Sequence, residues 1–284
     1  MMPPTRITIL GVGLLGGSIG LAAKSLINGC KIVGYGHRVE TLSIAMERGA
    51  IDEIQPNAAE AVAGADLVIL CTPVGVFEQL MGEIAPALTA QMIITDVGST
   101  KRSIVAAAAR QLPFPARFVG SHPMAGGEKQ GIAFARADLY KDAICLMTPT
   151  AQSDAAAVQE VEDFWRLLGM KITRLTPEVH DQLVAQMSHL PHAVAAALVA
   201  LQEPDSLALC GNGFLTTTRI AAGDGGLWRD IFLDNRDNLI KQIARFQAEL
   251  TKLQSRLENN DPAAVKAWLD AAAVTRQAMA KKPD

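Results

Sequence analysis

The stretch Ile7-Thr8-Ile9-Leu10-Gly11-Val12-Gly13-Leu14-Leu15-Gly16 decides how the rest of the chain is read. Four residues suited to a buried strand run into Gly-x-Gly-x-x-Gly, and residues 14–26 have helical composition. A strand, a glycine turn and a helix in that order form the first crossover of a dinucleotide-binding fold. Gly11 permits the tight turn, Gly13 lets the backbone approach a pyrophosphate, and Gly16 lets helix and strand pack closely. Leu14 and Leu15 open the helix, whose free N–H groups face the phosphates.

Outward from this crossover, aliphatic runs at residues 32–35, 67–71 and 92–95 are bounded by Gly, Pro or Asp, as strands buried on both faces are. Helical stretches lie between them at 39–47, 74–88 and 103–111. Further strands are expected at 118–120, 144–147 and 171–175, with a helix over 155–168. This alternation predicts an α/β fold, a doubly wound, mostly parallel Rossmann-type sheet. After Thr176-Pro177 the apolar spacing is helical throughout. A long helix is expected over 179–201, kinked where Pro191 lacks an N–H and its ring clashes with the preceding turn. Residues 236–258 and 263–280 read as two more helices. The expected division is a dinucleotide-binding domain, 1–175, and an all-helical domain, 176–284.

The 284 residues are ample for two domains. A formal charge of −3 and a pI near 6.0 leave no basic field for nucleic acid. The N-terminus lacks the apolar core of a signal peptide, and polar residues interrupt every apolar run short of about 20 residues. A cytoplasmic protein without membrane contact is expected. Cys30, Cys71, Cys145 and Cys210 are far apart, with no C-x-x-C pair, and read as reduced thiols.

The end of the second strand speaks to the cofactor. NAD binders usually place Asp or Glu there to accept from the ribose hydroxyls. Here Ile32-Val33-Gly34-Tyr35 ends in Gly36-His37-Arg38. With no carboxylate to repel a 2′-phosphate and a guanidinium close by, NADP is favoured over NAD. Thr72 and Pro73, after the third aliphatic run, complete the expected cofactor edge.

Three further segments carry chemistry. Asp96-Val97-Gly98-Ser99-Thr100-Lys101 follows the fourth strand, at the carboxyl edge where ligands sit. Ser121-His122-Pro123-Met124-Ala125-Gly126 follows another strand and places His122 on a loop at that edge. A histidine there can take a hydroxyl proton near neutral pH. The third segment holds His180, His189 and His192, with Arg219 and Trp228 beyond. On a straight helix His180 and His189 oppose each other, about two and a half turns apart. Pro191 disturbs the helix between His189 and His192, and no H-E-x-x-H pattern exists, so no metal site is expected. Imidazoles and a guanidinium suit an anionic substrate, Arg being the bidentate partner of carboxylate.

Taken in order, Gly11–Gly16, Asp96–Lys101, Gly120–Gly126, Ser188–His192, Thr218-Arg219-Ile220-Ala221 and Trp228-Arg229-Asp230-Ile231 resemble the motifs of the prephenate/arogenate dehydrogenase family over nearly the whole chain. The resemblance implies a Rossmann domain joined to a helical domain that dimerises. It implies that His122 is the catalytic histidine bonded to the ring hydroxyl, and that Ser99 orients this histidine and the substrate. Glu128 would stand at the site entrance, and His180 and His192 would line the pocket. Arg219 would bind a substrate carboxylate, and Trp228 would form an aromatic wall. The implied reaction is oxidative decarboxylation: hydride leaves the ring carbon for the nicotinamide, His122 takes the hydroxyl proton, and carbon dioxide departs as the ring aromatises.

Family members divide between prephenate and arogenate. An acidic residue three places before the arginine is associated with the amine of arogenate, and here that position is Thr216. Prephenate is expected, with arogenate kept open by the NADP preference and by Asp224 as a substitute acid. The β-hydroxyacid dehydrogenases share the architecture but use a lysine on the first helix after the boundary. Residues 181–186 hold none, and none precedes Lys241. A dinucleotide-sensing module without chemistry would have no use for His122. No added regulatory or mutase domain is expected.

Overall fold

The computed structural model describes residues 3–127 and 129–280. Its eight strands are β1 (Arg6–Leu10), β2 (Lys31–Tyr35), β3 (Glu53–Ile54), β4 (Leu67–Leu70), β5 (Ile93–Asp96), β6 (Phe118–Pro123), β7 (Ile144–Thr148) and β8 (Lys171–Arg174). They form one sheet in the order β3-β2-β1-β4-β5-β6-β7-β8. The first six are parallel, in the order of a doubly wound dinucleotide-binding sheet. Consecutive residues of a strand serve opposite faces. Leu67 and Ile69 enter one core with Trp165 and Phe164, while Val68 and Leu70 enter the other with Phe77 and Met81. This two-sided burial explains why the strands read as unbroken aliphatic runs.

Helices α1 (Leu14–Leu26), α2 (Val39–Glu47), α3 (Ala58–Val62), α4 (Phe77–Ile84), α5 (Arg102–Gln111) and α6 (Ala155–Leu167) cover the faces. The short β3 and α3 carry no distinctive run and were not expected from the sequence. The larger departure is at β6. Its partner β7 runs antiparallel, pairing His122 with Leu146 and Pro123 with Cys145. That pairing extends the strand through Ser121-His122-Pro123, so His122 sits on a strand and not on the expected loop.

Beyond β8 the secondary structure is helical. Helix α7 (Pro177–Val184) passes through a π-turn, Ala185–His189, into α8 (Leu190–Ala200). Pro191 therefore causes no break. The wider turn lies where its ring would otherwise meet the carbonyl one turn back. By length and apolar composition alone this 24-residue run could cross a bilayer, contrary to the expectation from the sequence. Its His180 and Asp181, however, are buried and bonded into the sheet-bearing unit. Short helices α9 (Pro204–Leu207) and α10 (Asn212–Thr218) and helix α11 (Gly225–Asp234) follow. Residues 3–236 make one compact unit. Helices α12 (Arg236–Glu258) and α13 (Pro262–Ala280) account for the other, with Asp261 capping α13 through Ala264 N at 2.9 Å.

Helix α1 lies close to its neighbours because of its glycines. A Cβ on Gly20 would stand 2.0 Å from the carbonyl oxygen of Ala50, a backbone atom that cannot step aside. Gly20→Ala should therefore destabilise the fold by about 1–3 kcal/mol despite alanine's better helix propensity. Urea unfolding checks this; an unchanged or raised midpoint would refute the close-packing argument.

Candidate active site

The cofactor edge is built as the glycine pattern requires. Gly11 has φ +106°, and a Cβ there would lie 2.7 Å from the carbonyl carbon of Cys71. A Cβ on Gly16 would lie 2.2 Å from Gly11 O, whereas Gly13 faces open space. Gly13 caps α1 without a side-chain bond, and Leu14 and Leu15 begin the helix half-buried. Bare N–H groups and open space above them fit a pyrophosphate. Beside Gly11, Thr72 Oγ1 is buried without a protein partner, and Pro73 is exposed. At the end of β2, a Cβ on Gly36 would meet nothing nearer than Leu42 at 3.7 Å. His37 packs edge-on to Tyr35, and exposed Arg38 makes no side-chain bond among the described residues. These residues fit a nicotinamide dinucleotide.

His122 stands at the carboxyl end of β6 with 9% of its surface exposed. Its Nδ1 lies 2.9 Å from Nε2 of His180, whose own Nδ1 lies 2.8 Å from Asp181 Oδ1. Asp181 also accepts from Lys101 N at 2.8 Å, Arg102 N at 3.0 Å and Arg102 Nε at 3.1 Å, so it caps α5 from α7. Beneath them, Lys101 and Asp96 form a wholly buried ion pair. Asp96 also accepts from Ser121 N at 2.9 Å and Gly98 N at 2.8 Å, which ties β5 to the strand that carries His122.

A cavity of about 400 Å³ opens in front of His122. Ser99, Met124 and Gly126 line one side, and Ser188, His189, Arg219 and Trp228 the other. Gly223 is required in that second wall, because a Cβ would stand 2.6 Å from Trp228 Nε1. A larger cleft, about 580 Å³, lies among α4, α5 and α11, away from the histidines.

Some placements differ from those expected. His180 is fully buried and bonded to His122 from behind, where it was expected to line the pocket; Ser99 lines the cavity without a bond to His122. His192 does not line the cavity. It stacks against Trp228 at 3.6 Å and backs that wall. The residue that lines it is His189, because the π-turn slips the helix by one residue. His180 and His189, nine apart, then differ by about 80° instead of 180°. Asn235 accordingly reaches Asp181 O at 2.7 Å and His189 Nδ1 at 3.3 Å. Glu128 lies outside the described residues. Among the described residues no three His, Cys, Asp or Glu side chains converge as a metal site.

Burial first, then the charges of His180, Lys101 and His189, hold His122 well below its ordinary value of 6.5. Burial also lowers His180, although the bond to Asp181 opposes it. His189 is lowered to about 4 by burial, and His192 is lowered by the same cause. At neutral pH the site is a set of uncharged imidazoles beside a carboxylate, with the His122 titration displaced below the range expected from the sequence.

A dinucleotide cradle and a buried histidine facing a cavity at one edge of a sheet are the two parts expected of a nicotinamide-dependent dehydrogenase. Comparison with known proteins agrees. Residues 19–174 match the prephenate dehydrogenase nucleotide-binding domain, and residues 176–271 the prephenate dehydrogenase dimerization domain. A prephenate dehydrogenase of Bacillus subtilis is 34% identical over 262 residues, covering 90% of this chain and 71% of that one. A cyclohexadienyl dehydrogenase of Zymomonas mobilis is 32% identical, covering 90% and 89%. The crystal structure of prephenate dehydrogenase from Aquifex aeolicus, in complex with hydroxyphenyl propionate and NAD+, superposes with a TM-score of 0.91 at 32% identity, covering 97% and 98%. The chain belongs to the prephenate dehydrogenase family.

Four histidines lowered in the folded state leave a thermodynamic signature. Below 6.5 the unfolded chain binds protons that the folded chain does not, so stability is complete above that pH and falls as pH drops. His189 alone, lowered to about 4, is worth roughly 3 kcal/mol across that window. Carboxylates lowered on folding act only below their unfolded values near 4, so the interval from pH 7 to pH 5 isolates the histidines. The urea midpoint should fall steadily across it. A constant midpoint would mean that the imidazoles are not held neutral.

Proposed function

We propose that this chain oxidatively decarboxylates prephenate to 4-hydroxyphenylpyruvate. It favours NADP over NAD and works in the cytoplasm as a homodimer. Its dinucleotide-binding domain ends near residue 175, and the helical part that follows binds substrate and dimerises. The observation that carries the reading is the chain of hydrogen bonds Asp181–His180–His122, which ends at a cavity holding Arg219.

Proton positions follow from the donors and acceptors. Ionised Asp181 can only accept, so His180 Nδ1 carries a hydrogen and its neutral Nε2 presents a lone pair. That lone pair accepts from His122 Nδ1–H, which leaves His122 Nε2 unprotonated and available to the cavity. The base is thus set in its acceptor tautomer before substrate arrives. The substrate's ring hydroxyl donates to Nε2, and Arg219 grips a carboxylate with its planar fork. Bound nicotinamide supplies the hydride acceptor. As the hydroxyl proton passes to His122, the electron pair of the bond to the departing carboxylate closes the aromatic ring. The positive charge gained by His122 is stabilised through His180 by the ionised carboxylate of Asp181, as in other carboxylate–histidine systems. Ser99 and Trp228 bound the ring.

Prephenate is favoured over arogenate by the residues at the two positions where an acid for the amine would be sought. Thr216 offers no charge, and Asp224 is already the cap of α11, accepting Leu227 N at 2.7 Å. Neither is placed as a partner for an ammonium. The dimer is supported by the matched dimerization domain and by exposed Leu183, Met187, Leu201 and Leu209 in the helical part.

His122→Asn should reduce turnover of prephenate by about 10² to 10⁴ while both ligands still bind. Because the histidine is lowered, wild-type kcat should be flat above pH 6.5, with its acidic limb below that value. Near-normal turnover by the variant, or a limb centred above 6.5, would assign the base elsewhere.

The cofactor preference rests on the missing acid and on Arg38. Gly36→Asp, for which there is room, should reverse the ratio of kcat/KM for NADP over NAD. Arg38→Ala should erode it while NAD turnover stays roughly intact. Ratios insensitive to both substitutions would refute the charge argument.

A further inference from the structure

We propose that His189 donates a hydrogen bond to an oxygen of the substrate, and that Asn235 is the positioning residue that makes it a donor. The inference rests on the cavity being the substrate site, as proposed above.

Asn235 is wholly buried at the C-terminal end of α11. Two partners of opposite kind orient its amide. Oδ1 accepts from Arg102 Nη2 at 3.3 Å, and Nδ2 donates to the backbone carbonyl of Asp181 at 2.7 Å. The reversed amide would set oxygen against oxygen and N–H against guanidinium, so the assignment does not depend on seeing hydrogens. The same Nδ2 lies 3.3 Å from His189 Nδ1. An amide nitrogen donates and does not accept, so Nδ1 must supply the lone pair. The hydrogen of the neutral ring is then on Nε2.

His189 lines the cavity, and with Nδ1 engaged by Asn235 the polar group it can offer there is Nε2–H. Burial keeps the ring uncharged through the neutral range. The group is therefore a fixed donor, neither acceptor nor cation, and it pairs with a carboxylate or keto oxygen. It complements His122 across the cavity: one imidazole is locked with a free lone pair and the other with a free hydrogen. Asn235 and Asp181 connect the two settings, since the Asp181 carboxylate holds His180 while its carbonyl holds Asn235.

Nitrogen-15 NMR of the full chain with labelled histidine reads the tautomer directly, His189→Gln assigning the signal. At pH 7 His189 should be the Nε2–H form; the Nδ1–H form or a cation overturns the proposal. Kinetics with prephenate test the donor. The glutamine amide reaches about as far as Nε2, so His189→Gln should hold KM within about threefold. The asparagine amide reaches only the Nδ1 position, and His189→Asn should raise KM about tenfold with a smaller change in kcat, the share of one hydrogen bond. Equal KM values in the two variants overturn the donor role. Asn235→Asp puts an acceptor where the donor was. It should move the hydrogen to Nδ1 and raise KM as His189→Asn does; an unchanged tautomer overturns the role of Asn235. The NMR needs no turnover, so a wild-type chain inactive on prephenate would fail the functional reading and leave the tautomer result standing.

Discussion

The carboxylate of Asp181 accepts from the backbone of Lys101 and Arg102, from the Arg102 guanidinium and from His180, with almost no contact with water. A carboxylate so placed would be costly if any of these donors were missing. With all of them present it is held ionised: burial alone would raise it, but the bonds to His180, Arg102 and Lys101 bring it below the ordinary carboxylate value. Three features depend on that one group. Helix α5 begins where Asp181 satisfies its first N–H groups, α7 is fastened to the sheet, and His180 has a reason to carry its hydrogen on Nδ1. Loss of the carboxylate would remove a cap, a tether and a tautomer together.

Much of this was legible in the sequence because the signals were local. The glycine turn, the aliphatic runs and helices α1, α2 and α12 follow from short-range pattern, and the motif residues His122, Ser99, Arg219 and Trp228 do converge on one cavity. The departures share a cause, which is contact between distant segments. Nothing in Ser121-His122-Pro123 says strand until β7 pairs beside it. The apolar spacing of residues 179–201 is that of an ordinary helix, and only the π-turn decides which histidines face the cavity. Asp181 and Lys101 stood next to residues already singled out, so adjacency was the available signal for them. Asn235 had none, since its importance comes from partners 46 to 133 positions away.

Mounting His122 on a paired strand has a consequence for chemistry. A loop histidine must be ordered each time substrate binds, whereas one fixed by backbone pairing and by a bond from behind is already in place. The glycines act to the same end at the other ligand. Gly11 and Gly16 bring backbone against backbone, so the phosphate-facing N–H groups of α1 are held by packing. His122 and the glycine turn are thus both positioned by the sheet and its packing.

The buried pair of Lys101 and Asp96 is hard to justify as stabilisation, because such pairs seldom repay their desolvation. Its electrostatic position accounts for it better. Burial is the first cause that lowers both His122 and His180, and the ammonium adds to it; at His180 the carboxylates of Asp181 and Asp96 oppose the shift. A proton accepted at His122 Nε2 would leave the Nδ1 hydrogen bonded to His180 Nε2, and the other nitrogen of His180 donates to the Asp181 carboxylate. Burial, with the charge of the lysine added to it, keeps the outer imidazole uncharged near neutral pH. Under the proposed mechanism the carboxylate behind the inner one would stabilise the proton that His122 gains.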